Sequence, residues 1–366
     1  MSADTTDEKF LSTAIKLAQR GRGAVEPNPM VGCLIVREGT IVGEGYHQKF
    51  GGPHAEVEAI RAAGAATEGA DAFVTLEPCC HTGKTGPCTQ ALVDAGIKRV
   101  VIGCEDPNPQ VRGKGAQRLR DAGIVVETGV LEAQARRLIA PFAKLMTTAR
   151  PWVIAKWAMT LDGKIASHTG SSQWITGEAS RATVHLLRGV VDAIVVGRGT
   201  VEADDPLLTA RPAGPRTPAR VVLDSQASLA SGSKLIQSID KAPLLVAASY
   251  DAPTGNIQRL AKLDVEVIQL EGQDHAERLS ALLDELGRRQ MANVLVEGGG
   301  GVLGSLLDLD AVDEVHAYLA PKLIGGASSS SPVAGIGIEK MSEALQLKDI
   351  EITQLGEDIR ICGYVH

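Results

Sequence analysis

His54-Ala55-Glu56, followed by Pro78-Cys79-Cys80-His81-Thr82-Gly83-Lys84-Thr85-Gly86-Pro87-Cys88, is the stretch on which the reading of this 366-residue chain turns. It offers one imidazole, a carboxylate two residues later, and thiols behind a proline. Soft, deprotonated ligands of this kind suit zinc, and a catalytic zinc keeps its fourth position open for water. His54, Cys79 and Cys88 would supply three ligands, which leaves Glu56 free to move protons. Cys80 could stand in for Cys79, but only Cys79 directly follows the proline.

Outward from this stretch, strands and helices alternate. Phe10, Leu11, Ala14, Ile15, Leu17 and Ala18 recur with helical period within residues 7–22. Val31–Val36 and Ile41–Tyr46 flank Arg37-Glu38-Gly39-Thr40 as a hairpin. His54–Ala63 reads as a helix with His54 and Glu56 in its first turn, and Ala72–Leu76 as a strand entering the Pro78-Cys79 turn. Helix Thr89–Gly96, strand Arg99–Gly103, helix Arg112–Ala122, strand Ile124–Thr128 and one helix from Leu131 to about Met146 follow. The pattern predicts a mixed sheet with helices on its faces. Cys33 and Cys104, in apolar strands, read as small core residues.

The signature of zinc deaminases is H-x-E…P-C-x-x-C, and this chain keeps all of it except the last spacing. The widened Cys79–Cys88 gap, with Thr75-Leu76-Glu77 ahead of it and Gly-Lys-Thr inside it, resembles the deaminase half of the bifunctional riboflavin-biosynthesis enzymes. Pro27-Asn28-Pro29-Met30-Val31-Gly32 and Asp106-Pro107-Asn108-Pro109-Gln110-Val111 fit the same family; Cys80 stands where serine is usual. The resemblance implies a cytidine-deaminase-like three-layer α/β/α domain over residues 1–149. Its zinc would serve hydrolytic deamination of a diaminopyrimidinone ribosylamine phosphate, with Asn28, His81, Lys84, Thr85, Asp106 and Asn108 on the substrate. From the residues alone, Asn28, Asp106 and Asn108 read as turn formers beside prolines.

Pro151, after Thr147-Thr148-Ala149-Arg150, marks a boundary, and a second alternating region occupies residues 150–366. Its strands are read at Trp152–Trp157, Asp192–Val196, Arg220–Leu223, Leu244–Ala247, Val265–Gln269, Val294–Glu297 and Glu314–Ala320. Helices are read at Ser180–Arg188, Ala276–Arg288 and Val302–Leu307. Two closing strands, around Leu347–Leu355 and Ile359–Val365, are expected to be antiparallel. Ala327–Ser331 reads as a mobile loop.

Glu297-Gly298-Gly299-Gly300-Gly301-Val302-Leu303-Gly304-Ser305 sits between a strand and a helix, where glycines admit a phosphate and the helix N-terminus favours its charge. Gly299, Gly301 and Gly304 match G-x-G-x-x-G, but no acidic residue ends the next strand, so a phosphate-binding turn is expected and a Rossmann half is not. Lys156-Trp157-Ala158-Met159-Thr160-Leu161-Asp162-Gly163-Lys164, Ser172-Gln173-Trp174, Gly197-Arg198-Gly199-Thr200 and Asp204-Asp205-Pro206-Leu207-Leu208-Thr209-Ala210-Arg211 are similar to the reductase half of the same family. That half has a dihydrofolate-reductase-like α/β fold and uses NADPH to turn the ribosyl group into ribityl. The resemblance implies cofactor contacts at Ala158, Trp174, Thr200, Asp204, Ser225, Gly299, Gly300, Gly301, Val302, Leu303, Gly304 and Ser305. It implies substrate contacts at Ser172, Arg188, Leu208, Arg211 and Glu297. The other reading is a zinc deaminase of another base or nucleoside joined to a non-catalytic nucleotide-binding module.

Composition narrows the partners. A net charge of −7 and 3% aromatic residues argue against a polyanion and against base stacking, leaving a small molecule. No membrane partner is expected, since no apolar run has the length of a span. Three of the six cysteines fall within residues 79–88, which suits a metal site in the reducing cytoplasm. A homo-oligomer is expected.

Overall fold

Cys33, Ile35, Ala72, Val74, Val100 and Ile102 alternate with Leu34, Val36, Phe73 and Val101 along three neighbouring strands. Both faces of that sheet are therefore apolar and both need cover. In the computed structural model, which describes residues 6–80, 86–109 and 111–365, helices supply it on each side. The elements are α1 (Thr6–Ala18), β1 (Gly32–Arg37), β2 (Thr40–Tyr46), α2 (Ala55–Ala63), β3 (Asp71–Leu76), α3 (Cys88–Asp94), β4 (Arg99–Cys104), α4 (Lys114–Asp121), β5 (Val125–Thr128), α5 (Glu132–Leu138) and α6 (Ala140–Thr148).

The sheet runs β2-β1-β3-β4-β5. β1 is antiparallel to β2 and β3, and β3, β4 and β5 are parallel. Ala55 and Ala59 of α2, Leu92 of α3, and Ala116 and Leu119 of α4 pack on one face. Leu11, Ala14 and Leu17 of α1, with Ala135 and Leu138 of α5, pack on the other. This is the expected three-layer α/β/α arrangement, and Cys33 and Cys104 are buried in it.

Two glycines set the depth of the helix that matters for function. A Cβ on Gly43 would lie 2.4 Å from the Ala59 carbonyl oxygen, and one on Gly45 would lie 2.2 Å from that of Ala55. Without side chains there, α2 lies directly on β2, and its first turn is held rigidly. His54 is the residue just ahead of that helix, in extended conformation, not inside its first turn as expected. The single helix expected from Leu131 is also two helices, broken at Ile139. Pro141 has no N–H to extend a continuous ladder back to Arg137.

The chain divides into two units between Ala149 and Arg150. The second contains β6 (Trp152–Thr160), α7 (Glu178–Arg188), β7 (Ala193–Gly197), α8 (Arg198–Asp204), β8 (Ala219–Leu223), α9 (Lys234–Gln237), β9 (Leu244–Ser249), α10 (Thr254–Ala261), β10 (Glu266–Leu270), α11 (His275–Arg288), β11 (Asn293–Val296), α12 (Gly300–Asp308), β12 (Glu314–Ala320), β13 (Lys348–Leu355) and β14 (Asp358–Tyr364). They form one nine-stranded sheet, β10-β9-β8-β7-β11-β6-β12-β14-β13. Its first seven strands are parallel, and β14 pairs antiparallel with both β12 and β13.

Val153, Ala155, Val195, Val221, Leu245, Val294 and Val315 turn one face of this sheet toward Leu279, Leu282, Leu283 and Leu286 of α11 and Val302, Leu303 and Leu306 of α12. Three helices carry weak sequence signals and were not anticipated: α8, which opens Arg-Gly-Thr, the short α9, and α10, which opens Thr-Gly-Asn. Gly and Asn are poor helix formers, and packing overrides propensity there. In the serine-rich loop, Ile165 N–H donates to the Ser330 carbonyl at 2.9 Å and Ser329 is buried, while its neighbours are exposed.

Candidate active sites

In the first unit the three sulfur and nitrogen ligands converge. His54, Cys79 and Cys88 each present one donor atom, and these lie within 4.8 Å of one another. His54 Nδ1 is 3.2 Å from Cys88 Sγ and 3.6 Å from Cys79 Sγ. Zn–S and Zn–N bonds at a tetrahedral angle place such ligands about 3.5 Å apart, so the donor set fits zinc in both chemistry and spacing. Different elements bring them together. His54 leads α2, Cys79 follows β3, and Cys88 opens α3, where its N–H donates to Cys79 Sγ at 3.3 Å.

A hydrogen bond from Cys88, helped by His54, draws Cys79 down to about 4 against the opposing effect of burial. Cys88 is pushed up as its partner. His54 is raised, first by its bond with Cys79. Glu56 is 3% exposed and outside the ligand set, and burial pushes its carboxyl up.

The pocket wall is partly described. Asn28 Nδ2 donates to His47 Nε2 at 3.3 Å, while His47 Nδ1 bonds the Pro53 carbonyl at 3.0 Å. Those two bonds fix a neutral His47, whose ring edge meets His54 at 5.4 Å between centroids. Asn108 N–H donates to Asp106 Oδ1 at 2.8 Å, a local turn of the kind Asp favours. His81, Lys84 and Thr85 lie outside the described residues.

Sequence reasoning passed over two residues here. One is His47, a lone His after a tyrosine with no spacing to mark it. The other is Glu77, quoted only as part of a motif, which accepts four backbone N–H groups. A charged residue ending an apolar strand was the available signal.

In the second unit a cavity of about 1150 Å³ opens at the C-terminal ends of the parallel strands. From β6 the chain steps outward through β7, β8, β9 and β10, then returns to insert β11 between β7 and β6. Ligand crevices in open α/β sheets form where the strand order reverses in this way. Ala158, Trp174, Thr200, Asp204, Ser225, Gly299, Gly301, Val302 and Leu303 line the cavity, as do Ser172, Arg188, Leu208, Arg211 and Glu297.

Gly300, Gly304 and Ser305 do not line it. A Cβ on Gly304 would meet Ala334 at 2.3 Å and one on Gly300 would meet the Ser331 carbonyl at 2.9 Å, so these glycines seat a neighbouring loop. Ser305 Oγ bonds His275 Nδ1 at 3.1 Å, and His275 does face the cavity. Gly298 and Gly299 have φ of 102° and 76°, and a Cβ on Gly298 or Gly301 would meet nothing within 4 Å. The turn into α12 is thus an open cradle of backbone. Trp157 Nε1, buried at the cavity, has no hydrogen-bond partner among the described residues. Both features fit a bound polar ligand with phosphate groups.

The arginines behave differently from one another. Arg188 grips Glu297 with Nε at 2.5 Å and Nη2 at 2.7 Å, and Lys156 Nζ stands 3.8 Å from the same carboxylate. Burial pushes Glu297 up, but Arg188 and then Lys156 outweigh it and hold the carboxyl at about 2. Lys156 is lowered by its own burial. Arg211 is exposed, with Nη2 at 3.1 Å from His185 Nε2, while His185 Nδ1 bonds the Thr209 carbonyl at 3.1 Å. Asp204 accepts from Ser172 Oγ at 2.5 Å.

Fold and sites together define a deaminase with a zinc-type ligand set joined to a reductase with a nucleotide-sized cavity. Residues 4–104 match the cytidine and deoxycytidylate deaminase zinc-binding region, and residues 151–361 match the RibD C-terminal domain. The riboflavin biosynthesis protein RibD of Actinobacillus pleuropneumoniae is 43% identical, covering 97% of this chain and 94% of its own length. RibD of Escherichia coli is 41% identical over 96% of this chain and 98% of its own. Among solved structures, Acinetobacter baumannii RibD superposes with a TM-score of 0.86 at 38% identity, covering 99% of both chains. A Thermotoga maritima protein titled a diaminohydroxyphosphoribosylaminopyrimidine deaminase and 5-amino-6-(5-phosphoribosylamino)uracil reductase gives 0.85 at 37% identity, again covering 99% of each chain. The chain belongs to the RibD family of bifunctional deaminase–reductases of riboflavin biosynthesis.

Proposed function

We propose that residues 1–149 deaminate a diaminopyrimidinone ribosylamine 5′-phosphate and that residues 150–366 then reduce its ribosyl group to ribityl. The observation that carries the reading is the convergence of His54, Cys79 and Cys88 beside a buried carboxylate that is not among them. These three residues would hold zinc, which when bound supplies the Lewis acidity that makes water nucleophilic near neutral pH. Glu56 takes a proton from the attacking water and returns one to the leaving amine, which departs as ammonia. Asn28, Asp106 and Asn108, with His81, Lys84 and Thr85, hold the ring and its phosphate.

In the second unit, NADPH when bound would supply a hydride to C1′ of the sugar, the C1′–O4′ bond breaking and O4′ taking up a proton from solvent. The turn from Gly299 to Ser305 receives its phosphates, with Gly300, Gly304 and Ser305 shaping the turn from behind. Ala158, Trp174, Thr200, Asp204 and Ser225 line the rest of its path. Ser172, Leu208, Arg211 and the Arg188–Glu297 pair face the substrate. No helix of the described residues is long and apolar enough to cross a membrane. The thiol-rich ligand set supports a reducing cytoplasm. Exposed Ile350 and Ile352 on the sheet-edge strand β13, together with exposed Ile336 and Met341 earlier in the chain, support association with a second copy over any nucleic-acid partner.

Incubating the zinc-loaded chain with the pyrimidine substrate and NADPH tests both halves. Ammonia release and loss of nicotinamide absorbance are independent signals. Ammonia without NADPH oxidation would put the non-catalytic nucleotide-binding module in place of the reductase.

A further inference from the structure

We infer that Glu77 is a positioning residue of the deaminase site, docking the loop that carries Asp106 and Asn108 against the turn that carries Cys79. This rests on the deaminase reading above. Glu77 directly precedes Pro78-Cys79 and is 4% exposed. Both of its oxygens are committed. Oε2 accepts from Asp106 N–H at 3.1 Å and Gly113 N–H at 2.9 Å. Oε1 accepts from Gly115 N–H at 2.8 Å and Ala116 N–H at 3.1 Å.

One carboxylate therefore holds the two ends of the 106–113 loop and the first turn of α4. That helix has no side-chain cap of its own: the residue ahead of it is Gly113, with φ 77°. Four charge-assisted bonds are what the burial of an ionised carboxylate requires, and they also orient whatever donates them. The docking is tight, since a Cβ on Gly115 would lie 2.1 Å from the Pro78 carbonyl oxygen. α4 is also tied back to the same turn, where Arg118 Nη1 donates to the Cys80 carbonyl at 3.3 Å. Asp106 is itself one docked end, and Asn108, which donates its N–H to Asp106 Oδ1 at 2.8 Å, lies between the two. With both oxygens given to backbone N–H groups, Glu77 thus acts through the loop.

The Glu77→Gln variant of the full-length, zinc-loaded chain tests this. Its amide keeps one acceptor oxygen and replaces the other with donors, so two of the four N–H groups lose their acceptor. Hydrogen exchange should accelerate ~tenfold or more at Asp106 and Gly113, or at Gly115 and Ala116. Zinc content should stay at about one per chain. The deaminase KM should rise about tenfold, with kcat moving less than about threefold. Glu77→Asp, which keeps the charge on a shorter arm, should recover part of the KM. A merely structural role would lower Tm and leave the KM of the folded fraction alone.

Unchanged exchange at all four amides, loss of zinc, or a fall in kcat at constant KM would each overturn the inference. Should Glu77→Gln not fold, Glu77→Asp decides by the same readouts, and wild-type exchange and KM in that variant overturn it. Wild-type protein that releases no ammonia would sink the deaminase reading instead, while exchange at the four amides still reports the docking.

Discussion

The first unit concentrates its chemistry in three donor atoms within 4.8 Å of one another, whereas the second spreads its contacts around a cavity of about 1150 Å³. In the first, particular side chains are indispensable, because the donors are thiolate sulfur and imidazole nitrogen, which no backbone group can replace. In the second, much of the lining is backbone: an open turn at Gly298 and Gly299, strand ends, and a loop with Leu208 in the left-handed region at φ 51°. Side-chain chemistry leaves a pattern in sequence. Backbone chemistry leaves mainly glycines, which many turns use for other reasons.

The sharpest way to break this comparison is to remove the proton carrier from the compact site. Glu56→Gln should lower deamination by ~10²–10⁴-fold, the usual cost of losing a general acid/base. Metal analysis should still find about one zinc per chain, because the carboxyl lies outside the ligand set. Reduction of pre-deaminated substrate should be unchanged. A variant that loses its zinc would show that Glu56 belongs to the metal set, and the contrast between ligand and proton carrier would collapse.

The same contrast explains what could be read from sequence. The ligand triad follows from residue types in a fixed order, and period-2 and period-3.6 patterns locate the strands and helices that carry it. The glycines themselves point to the Glu297–Ser305 turn, but the family resemblance alone singles out the other cavity residues, and it names Gly300 and Gly304 alongside Gly299 and Gly301. In the structure the first two pack against the 331–335 segment and the second two face the cavity. A glycine that admits a ligand and one that admits another loop look alike in sequence. The partners of Glu77 and His47 were illegible for a related reason: they are backbone groups and one distant amide, joined only by the tertiary fold. The break at Ile139 was legible in principle, since Pro141 announces it.

A second test sharpens the contrast by acid. Glu297 is buried with Arg188 and held at about 2, against an ordinary value of 4.5. Its folded pKa is depressed, so its stabilising contribution is complete above about 4.5 and is lost as pH falls through about 2. That window is worth on the order of 3 kcal/mol to the second unit. All three tryptophans, Trp152, Trp157 and Trp174, lie in that unit, so their fluorescence reports its unfolding selectively. Glu297→Gln should flatten the acid dependence. Parallel loss of stability in wild type and variant between those pH values would remove the pair from the account.

The smallest expected effect separates the two arginines at the cavity. Arg188 is paired with Glu297 and also reaches the Thr209 carbonyl, so its removal would strip a buried partner and confuse binding with stability. Arg211 is exposed, and its guanidinium reaches His185. With His185 Nδ1–H given to the Thr209 carbonyl, Nε2 is left as an acceptor for Arg211. Burial, then Arg188 and Arg211, keep that imidazole below its ordinary pKa and therefore neutral. A neutral His can aim a guanidinium without cancelling its charge, which leaves Arg211 oriented and available to an anion. Arg211→Ala should accordingly raise the KM for the deaminated, phosphorylated substrate by about tenfold, the loss of one charge-assisted hydrogen bond. The NADPH dissociation constant and Tm should stay at wild-type values. Equal weakening toward NADPH would move Arg211 to the cofactor side of the cavity. No change in either would make it a solvated charge, and the substrate phosphate would then have to be held by the other cations that line the cavity, Arg181 and Arg198 among them.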